Sequence, residues 1–167
     1  MYTLSLALQP QPVNGLAPLP LRGYPERAMA KSADYILDDQ VGYVLRRVTQ
    51  RHLVIFSEMI PNITTTQFAV LARLDQLGPQ SQNVLGRATA MDGATIKGVV
   101  DRLALRGLVE TAADPEDRRR LTVGLTVAGA ELFHATRSMA LAVSDTTLHA
   151  LSQEERKQLM ALLARLT

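Results

Sequence analysis

The chain has 167 residues, 47% of them hydrophobic, and a formal net charge of +2 at neutral pH. This length fits one domain with or without an extra arm, and the apolar content is sufficient for a core. The absence of cysteine excludes disulfides, thiolate metal sites, cysteine nucleophiles and cysteine-based redox sensing. We find neither a signal-peptide pattern nor a membrane-length apolar run, and we therefore expect a cytoplasmic protein.

Arginine outnumbers lysine fifteen to three. The guanidinium group binds phosphates and guanine edges with paired hydrogen bonds, so this bias is compatible with nucleic-acid binding. A GC-rich genome would produce the same bias through its codons. The placement of the cations is therefore more informative than their number.

Residues 1–31 hold five of the eight prolines and show little periodicity, which predicts an extended or disordered N-terminal arm. Several leucines make this arm more apolar than a solvated tail, and packing on a partner subunit is one interpretation. We place the folded domain at residues 32–167.

From about Ser32, apolar residues recur at steps of three and four as far as Met59, which predicts a long helix that Pro61 and Asn62 end. The helix is too apolar for a solvent-exposed rod, so it must pack on a substantial surface. His52 lies on its apolar stripe.

Three capping residues predict the next helices. Thr64 and Gln67 form a capping box for a helix closed by Gly78-Pro79, and Ser81 begins a short helix. Asp92 begins a further helix, for which Gly107 provides the left-handed C-terminal residue, so we expect it to span Asp92 to Arg106. Its inward positions are Ile96, Val99, Val100 and Leu103.

A β-hairpin is predicted after this helix pair. Residues 108–112 form the outgoing strand, Asp114-Pro115 marks the turn, and the alternation of Leu121, Val123 and Leu125 indicates the returning strand. A helix pair followed by a hairpin is the plan of a winged helix-turn-helix, a module that binds DNA. The predicted fold is therefore mainly α with a small β-hairpin wing.

Two helices complete the chain. Thr126 caps a long helix that runs towards His149, and Ser152 with Glu155 forms a second capping box. The last helix is strongly apolar for a chain of this size, which favours an oligomer interface over a lid on its own domain.

The helix after Asp92 and the tip of the hairpin supply the DNA-binding candidates. Small and polar outward residues let the helix backbone approach base edges, Thr95 and Lys97 can reach bases in the major groove, and arginine enters narrow minor grooves. The candidates are Ser81, Ala94, Thr95, Lys97, Gly98, Arg102, Arg118, Arg119 and Arg120. Asp114 and Asp117 are expected to bond turn amides and orient an arginine. Solvated, self-paired charges are the alternative interpretation.

These segments resemble the MarR family of winged-helix transcriptional regulators. The similarity covers roughly residues 37–166 and is carried by GYVLRRVTQ, TTTQFAVLARL, MDGATIKGVVDRLALRGLVE and DPEDRRRLTVGLTVAGAEL. It implies a two-fold dimer built from helices in 32–60 and 127–167, with a DNA-binding lobe at 62–126. It also implies that Arg119 is the wing arginine, with Asp117 as its partner. Many members have arginine where this chain has Glu116, which shifts the prediction onto Arg118 and Arg119.

The resemblance further implies a nucleoid-associated, homodimeric repressor that binds a pseudo-palindromic DNA operator and is released by a small aromatic carboxylate. The long helix and the arm are similar to repressors of nicotinic-acid degradation in this family. Candidate ligand residues are Tyr43, Arg47, His52, Phe56 and Gln67. Two of them have structural alternatives, because His52 fits a hydrogen-bonded core histidine and Arg47 an ion pair.

Two other functions are alternatives to a DNA-binding regulator. An enzyme is disfavoured because the sequence has no nucleophile elbow, phosphate-binding loop, zinc-protease or dinucleotide motif, and we expect no cofactor. The scattered histidines disfavour a metal site. A winged-helix module that binds proteins and not DNA is the second rival, but it would not need an arginine cluster at the hairpin tip.

Overall fold

The computed structural model describes residues 34–113 and 121–167. These described residues form six α-helices: α1 (Val41–Met59), α2 (Thr65–Leu77), α3 (Gln82–Ala88), α4 (Gly93–Leu105), α5 (Val127–Thr147) and α6 (Gln153–Ala164). Three strands accompany them: β1 (Gln80–Ser81), β2 (Val109–Ala113) and β3 (Leu121–Leu125). A mainly helical fold with a small antiparallel sheet is therefore confirmed.

The predicted helix caps are confirmed. The Thr64 hydroxyl accepts a hydrogen bond from the amide of Gln67, and the Gln67 side chain accepts one from the amide of Thr64. Ser152 and Glu155 form the same reciprocal pair at α6. Each pair satisfies backbone donors that the first turn of a helix leaves without partners.

The predicted beginning of the first helix at about Ser32 is wrong. A single 3-10 turn occupies Leu37–Asp39, and Gln40 is extended before α1 begins at Val41. The amide of Gln40 donates to the carbonyl of Leu37, as a 3-10 turn requires. Apolar spacing alone could not detect this break, because the stripe continues through the turn.

The sheet has the order β1-β3-β2, with both neighbouring pairs antiparallel. Val109 pairs with Leu125, and Ala113 with Leu121, in the register expected for the two arms of a hairpin. The sequence did not reveal β1, in which Gln80 pairs with Val123, because two residues are too short to show an alternation.

The core lies under the helix-turn-helix. Four positions on the inner face of α4 are at most 2% exposed: Ile96, Val99, Val100 and Leu103. They pack with buried residues of α2, α3 and the sheet, including Leu71, Leu85 and Val123. Burial of this face fixes which side of α4 is left for a partner.

Both predicted dimerisation helices leave apolar residues exposed. Helix α1 packs on α5, yet Val41, Val44, Leu45 and Val48 are between 43% and 68% exposed. Helix α6 has no buried residue, although it carries Leu162 and Met160. Exposed apolar patches of this kind are typical of protein interfaces.

Candidate DNA-binding surface and ligand cleft

The outer face of α4 carries the predicted base-reading residues. Ala94, Thr95 and Lys97 are exposed, as are Asp101 and Arg102 further along the helix. The buried residues alternate with them at helical spacing, so the core holds α4 while its polar face points outward. The structure therefore brings the predicted α4 residues onto one accessible face.

Asp92 holds the first turn of this helix. One carboxylate oxygen accepts from the amide of Thr95 at 2.8 Å, and the other accepts from the Thr95 hydroxyl at 3.0 Å. The bond from the Thr95 amide, followed by that from its hydroxyl, lowers the pKa of Asp92. Because the Thr95 hydroxyl donates to Asp92, its lone pairs are free to accept from a base amino group.

The cations of α4 have different environments. Lys97 forms an exposed ion pair with Asp101, with Nζ 2.6 Å from the carboxylate oxygen. The Arg102 guanidinium lies beside Gly98, where a Cβ would stand 3.3 Å from Nη1. The Arg102 side chain thus lies back over Gly98, one turn earlier on the same side of the helix.

Sequence reasoning missed a second polar surface on α3. Gln82, Asn83 and Arg87 line a cleft of about 580 Å³ against the sheet residues Thr111 and Leu121. The same three side chains also border a smaller cleft beside Gly93 at the start of α4. They therefore lie between the wing strands β2 and β3 and the recognition helix α4. The signal available in the sequence was the placement of these three residues at i, i+1 and i+5 directly after Ser81. The prediction that Ser81 caps this helix is confirmed, because its side chain accepts a hydrogen bond from the amide of Val84.

The predicted wing-tip residues Arg118, Arg119 and Arg120, with Asp114 and Asp117, lie outside the described residues. The strands that lead to the tip are described and paired up to Ala113 and Leu121.

The candidate ligand residues divide into separate places. Phe56 and Gln67 line a cleft of about 320 Å³ between the end of α1 and the beginning of α2. Its other lining residues are Leu53, Ser57, Pro61, Asn62, Ile63, Thr64 and Thr65. The cleft combines apolar walls with hydroxyl and amide groups, the composition of a small-molecule site.

Tyr43 and Arg47 lie elsewhere on α1, at least nine residues before Phe56, or roughly 13 Å along a helix axis. The Arg47 guanidinium stands 5.8 Å from the centre of the Tyr43 ring and pairs with Asp38 at 3.3 Å. Arg47 thus makes the surface ion pair that was one of its two predicted roles. Among the residues that the structure describes, these five candidates do not line one common pocket.

His52 is half-buried, and its Nδ1 lies 3.0 Å from the Thr147 hydroxyl on α5. This bond matches the interpretation of His52 as a core histidine with a partner. Within residues 34–113 and 121–167, no three metal-ligating side chains cluster. The helices of that same part of the chain include none that is long and apolar enough to cross a membrane.

A capped recognition helix, its preceding helix and a paired hairpin define a winged-helix protein, and comparison with known proteins places it. The MarR family profile matches residues 62–120. The HTH-type transcriptional repressor NicR of Pseudomonas putida is 40% identical over 144 residues, which cover 85% of this chain and 91% of NicR. The chain belongs to the MarR family; it is a transcriptional regulator and not an enzyme.

Two solved structures resemble it closely. A probable transcriptional regulator from Pseudomonas aeruginosa is 49% identical, with a TM-score of 0.77 over 79% of this chain and all of that one. BpsR of Bordetella bronchiseptica is 38% identical, with a TM-score of 0.77 over 80% of this chain and 97% of BpsR. The BpsR structure concerns regulation of DNA binding by 6-hydroxynicotinic acid.

Proposed function

We propose that this chain is a homodimeric repressor that binds a pseudo-palindromic operator and releases it when a small aromatic acid binds. The observation that carries the DNA-binding part is the face of α4, where Thr95, Lys97 and Arg102 are exposed together over a buried core. The effector part is supported by similarity to BpsR, whose DNA binding is regulated by 6-hydroxynicotinic acid.

The dimer is supported by the exposed apolar faces of α1 and α6. A two-fold dimer would place two copies of α4 in successive major grooves, roughly 34 Å apart. The wing arginines Arg118 and Arg119 would then enter the flanking minor grooves, as the family resemblance implies.

We further propose that the α3 surface binds the phosphate backbone. Arg87, with Gln82 and Asn83 beside it, lies between the sheet and the start of α4, where a DNA strand would leave the major groove. Phosphate contacts position a protein on DNA without reading sequence. These residues would therefore set affinity and register while α4 sets base preference.

Arg87→Ala is expected to weaken binding to operator DNA and to random DNA by similar factors, because a phosphate contact is independent of sequence. Loss of one phosphate contact should also lower the slope of log affinity against log salt by about 1 per protomer. Fluorescence anisotropy across a salt series measures both. Arg137→Ala on α5, an exposed arginine outside this surface, is the matched control. An unchanged slope for Arg87→Ala would remove α3 from the interface.

The cleft between α1 and α2 is our candidate effector site. Leu53, Phe56 and Ile63 offer apolar contacts for a ring, and Asn62, Thr65 and Gln67 offer polar groups. Its volume of about 320 Å³ is at the lower end of the usual range for ligand sites and suits a single-ring acid. Separate ligand roles for Tyr43, Arg47 and His52 stay predictions.

The test measures binding of the protein to the DNA upstream of its own gene, at fixed salt, in the presence of 6-hydroxynicotinate, nicotinate or benzoate. We expect one acid to weaken operator binding by roughly 5–150-fold, the usual range of allosteric coupling. Leu53→Trp, which fills the cleft, should abolish that response. Val54→Trp is the matched control, because Val54 is similarly exposed on α1 but does not line the cleft.

The outcomes separate the parts of the proposal. An operator shift that no acid changes would refute the effector class and keep the DNA-binding function. The protein-interaction module would be favoured if the chain bound the upstream DNA no more tightly than random DNA, and if no fragment of a genomic library was bound more tightly either. A response retained by Leu53→Trp would place the effector outside the cleft.

A further inference from the structure

Gln67 connects the ligand cleft to the DNA-binding lobe. Its side chain lines the cleft, yet the residue is only 7% exposed. The side-chain oxygen accepts two hydrogen bonds, from the amide of Thr64 at 3.2 Å and from Nη1 of Arg106 at 3.4 Å. Gln67 thus holds the first turn of α2 and a side chain from the end of α4 at the same atom.

Arg106 is fixed to the recognition helix by its backbone. It is the C-terminal capping residue of α4, and its amide donates to the carbonyl of Leu103 at 3.2 Å. The following Gly107 has a φ of 67° and its amide donates to Ala104. These bonds fix the backbone of Arg106 at the end of α4, so a new contact made by its side chain is anchored to that helix.

No charged side chain of the described part of the chain lines the cleft. None of its nine lining residues is charged, although the proposed effector is an acid. Among the described residues, Arg106 is the cation that hydrogen-bonds to a side chain of the cleft wall. A carboxylate beside Gln67 would offer the guanidinium a charged acceptor, and such bonds are about twice as strong as those to a neutral oxygen.

We propose that Arg106 is the residue that couples this cleft to DNA binding. An acidic ring in the cleft draws the Arg106 guanidinium from the Gln67 amide to its carboxylate. Helix α4 is about 20 Å long, so a small tilt of the helix about its Arg106 end displaces Thr95 and Lys97 near its other end. This inference rests on the proposed function for its biological effector, but the coupling itself can be tested without knowing that effector.

The test uses a tethered acid. The chain has no cysteine, so Ser57→Cys in the cleft wall supplies a single thiol per protomer. Reaction with dithiobis(nitrobenzoate) attaches a nitrobenzoate ring through a disulfide, and a thiol reductant removes it. A 4-nitrophenylthio label, which keeps the ring and the nitro group but lacks the carboxylate, isolates the contribution of charge. Operator affinity is measured by anisotropy before labelling, after labelling and after reduction.

In Ser57→Cys we expect the nitrobenzoate label to weaken operator binding at least fivefold and reversibly, and the uncharged label to change it less than twofold. In Ser57→Cys/Arg106→Ala, the nitrobenzoate effect should fall below twofold. The comparison is a ratio within each background, so any change in basal affinity caused by Arg106→Ala cancels. Arg73→Ala is the matched control, because Arg73 also joins α2 to the helix-turn-helix, through the carbonyl of Ala88.

Two outcomes would overturn the coupling role. Complete labelling with no effect on operator affinity would show that the cleft and α4 are not coupled. An equal effect with and without Arg106 would show that coupling follows another route. Thermal unfolding of each variant shows whether the fold is retained. Ser138→Cys, labelled in parallel on the exposed side of α5, shows the effect of a label outside the cleft. A tethered effect that depends on Arg106, combined with no response to free acids, would keep the coupling and reject only the effector class.

Discussion

Gly129→Ala is expected to destabilise the protein by about 3 kcal/mol, the upper end of the usual cost of overpacking. Gly129 lies in the first turn of α5, where a Cβ would overlap the carbonyl oxygen of Leu108 and stand 2.9 Å from its carbonyl carbon. That carbonyl cannot move aside freely, because it accepts the amide of Thr126 and Leu108 is buried. Urea unfolding at fixed protein concentration measures the loss.

Gly42→Ala is the matched control for this substitution. Gly42 also lies in the first turn of a helix, but a Cβ there meets nothing within 4 Å. Alanine is favoured over glycine in helices by up to about 1 kcal/mol, so this variant should be unchanged or more stable. Equal stabilities for the two variants would mean that the junction of α5 with Leu108 yields without cost.

Lys97→Ala is expected to cost roughly 1–3 kcal/mol of binding to the operator and much less on random DNA, since a base contact acts on one sequence. In the free protein Lys97 pairs with Asp101, but the pair is exposed, and such pairs contribute little that DNA would need to replace. Binding isotherms on operator, single-base variants and random DNA measure the loss. The base pair that Lys97 contacts is the one whose substitution weakens binding of the unchanged protein but no longer weakens binding of Lys97→Ala.

Asp101→Ala tests the same pair from its other side. Removing the carboxylate frees Lys97 and lowers the repulsion of phosphates, so operator and random DNA should both bind more tightly. A Lys97→Ala variant that loses equally on both DNAs would make Lys97 a phosphate contact and leave Thr95 as the candidate base reader in this turn.

The local beginnings of the helices could be predicted because their signals are local. A capping hydroxyl or carboxylate bonds an amide two or three residues away, so Thr64, Asp92 and Ser152 identify their helices without tertiary information. The same holds for Gly107, whose positive φ follows from the end of α4. The break before α1 and strand β1 escaped prediction, because a 3-10 turn and a two-residue strand leave too short a pattern.

The functional surfaces divide in the same way. Helical periodicity alone separates the buried face of α4 from the face with Thr95 and Lys97, so the sequence by itself determined the recognition helix. The resemblance of the chain to the MarR family is also confirmed. Only the tertiary structure placed Arg87 between the wing and α4, and only it separated Tyr43 and Arg47 from the cleft with Phe56. The bond from Arg106 to Gln67 spans 39 residues. Contacts at such distance depend on how helices pack, and no local pattern encodes that packing.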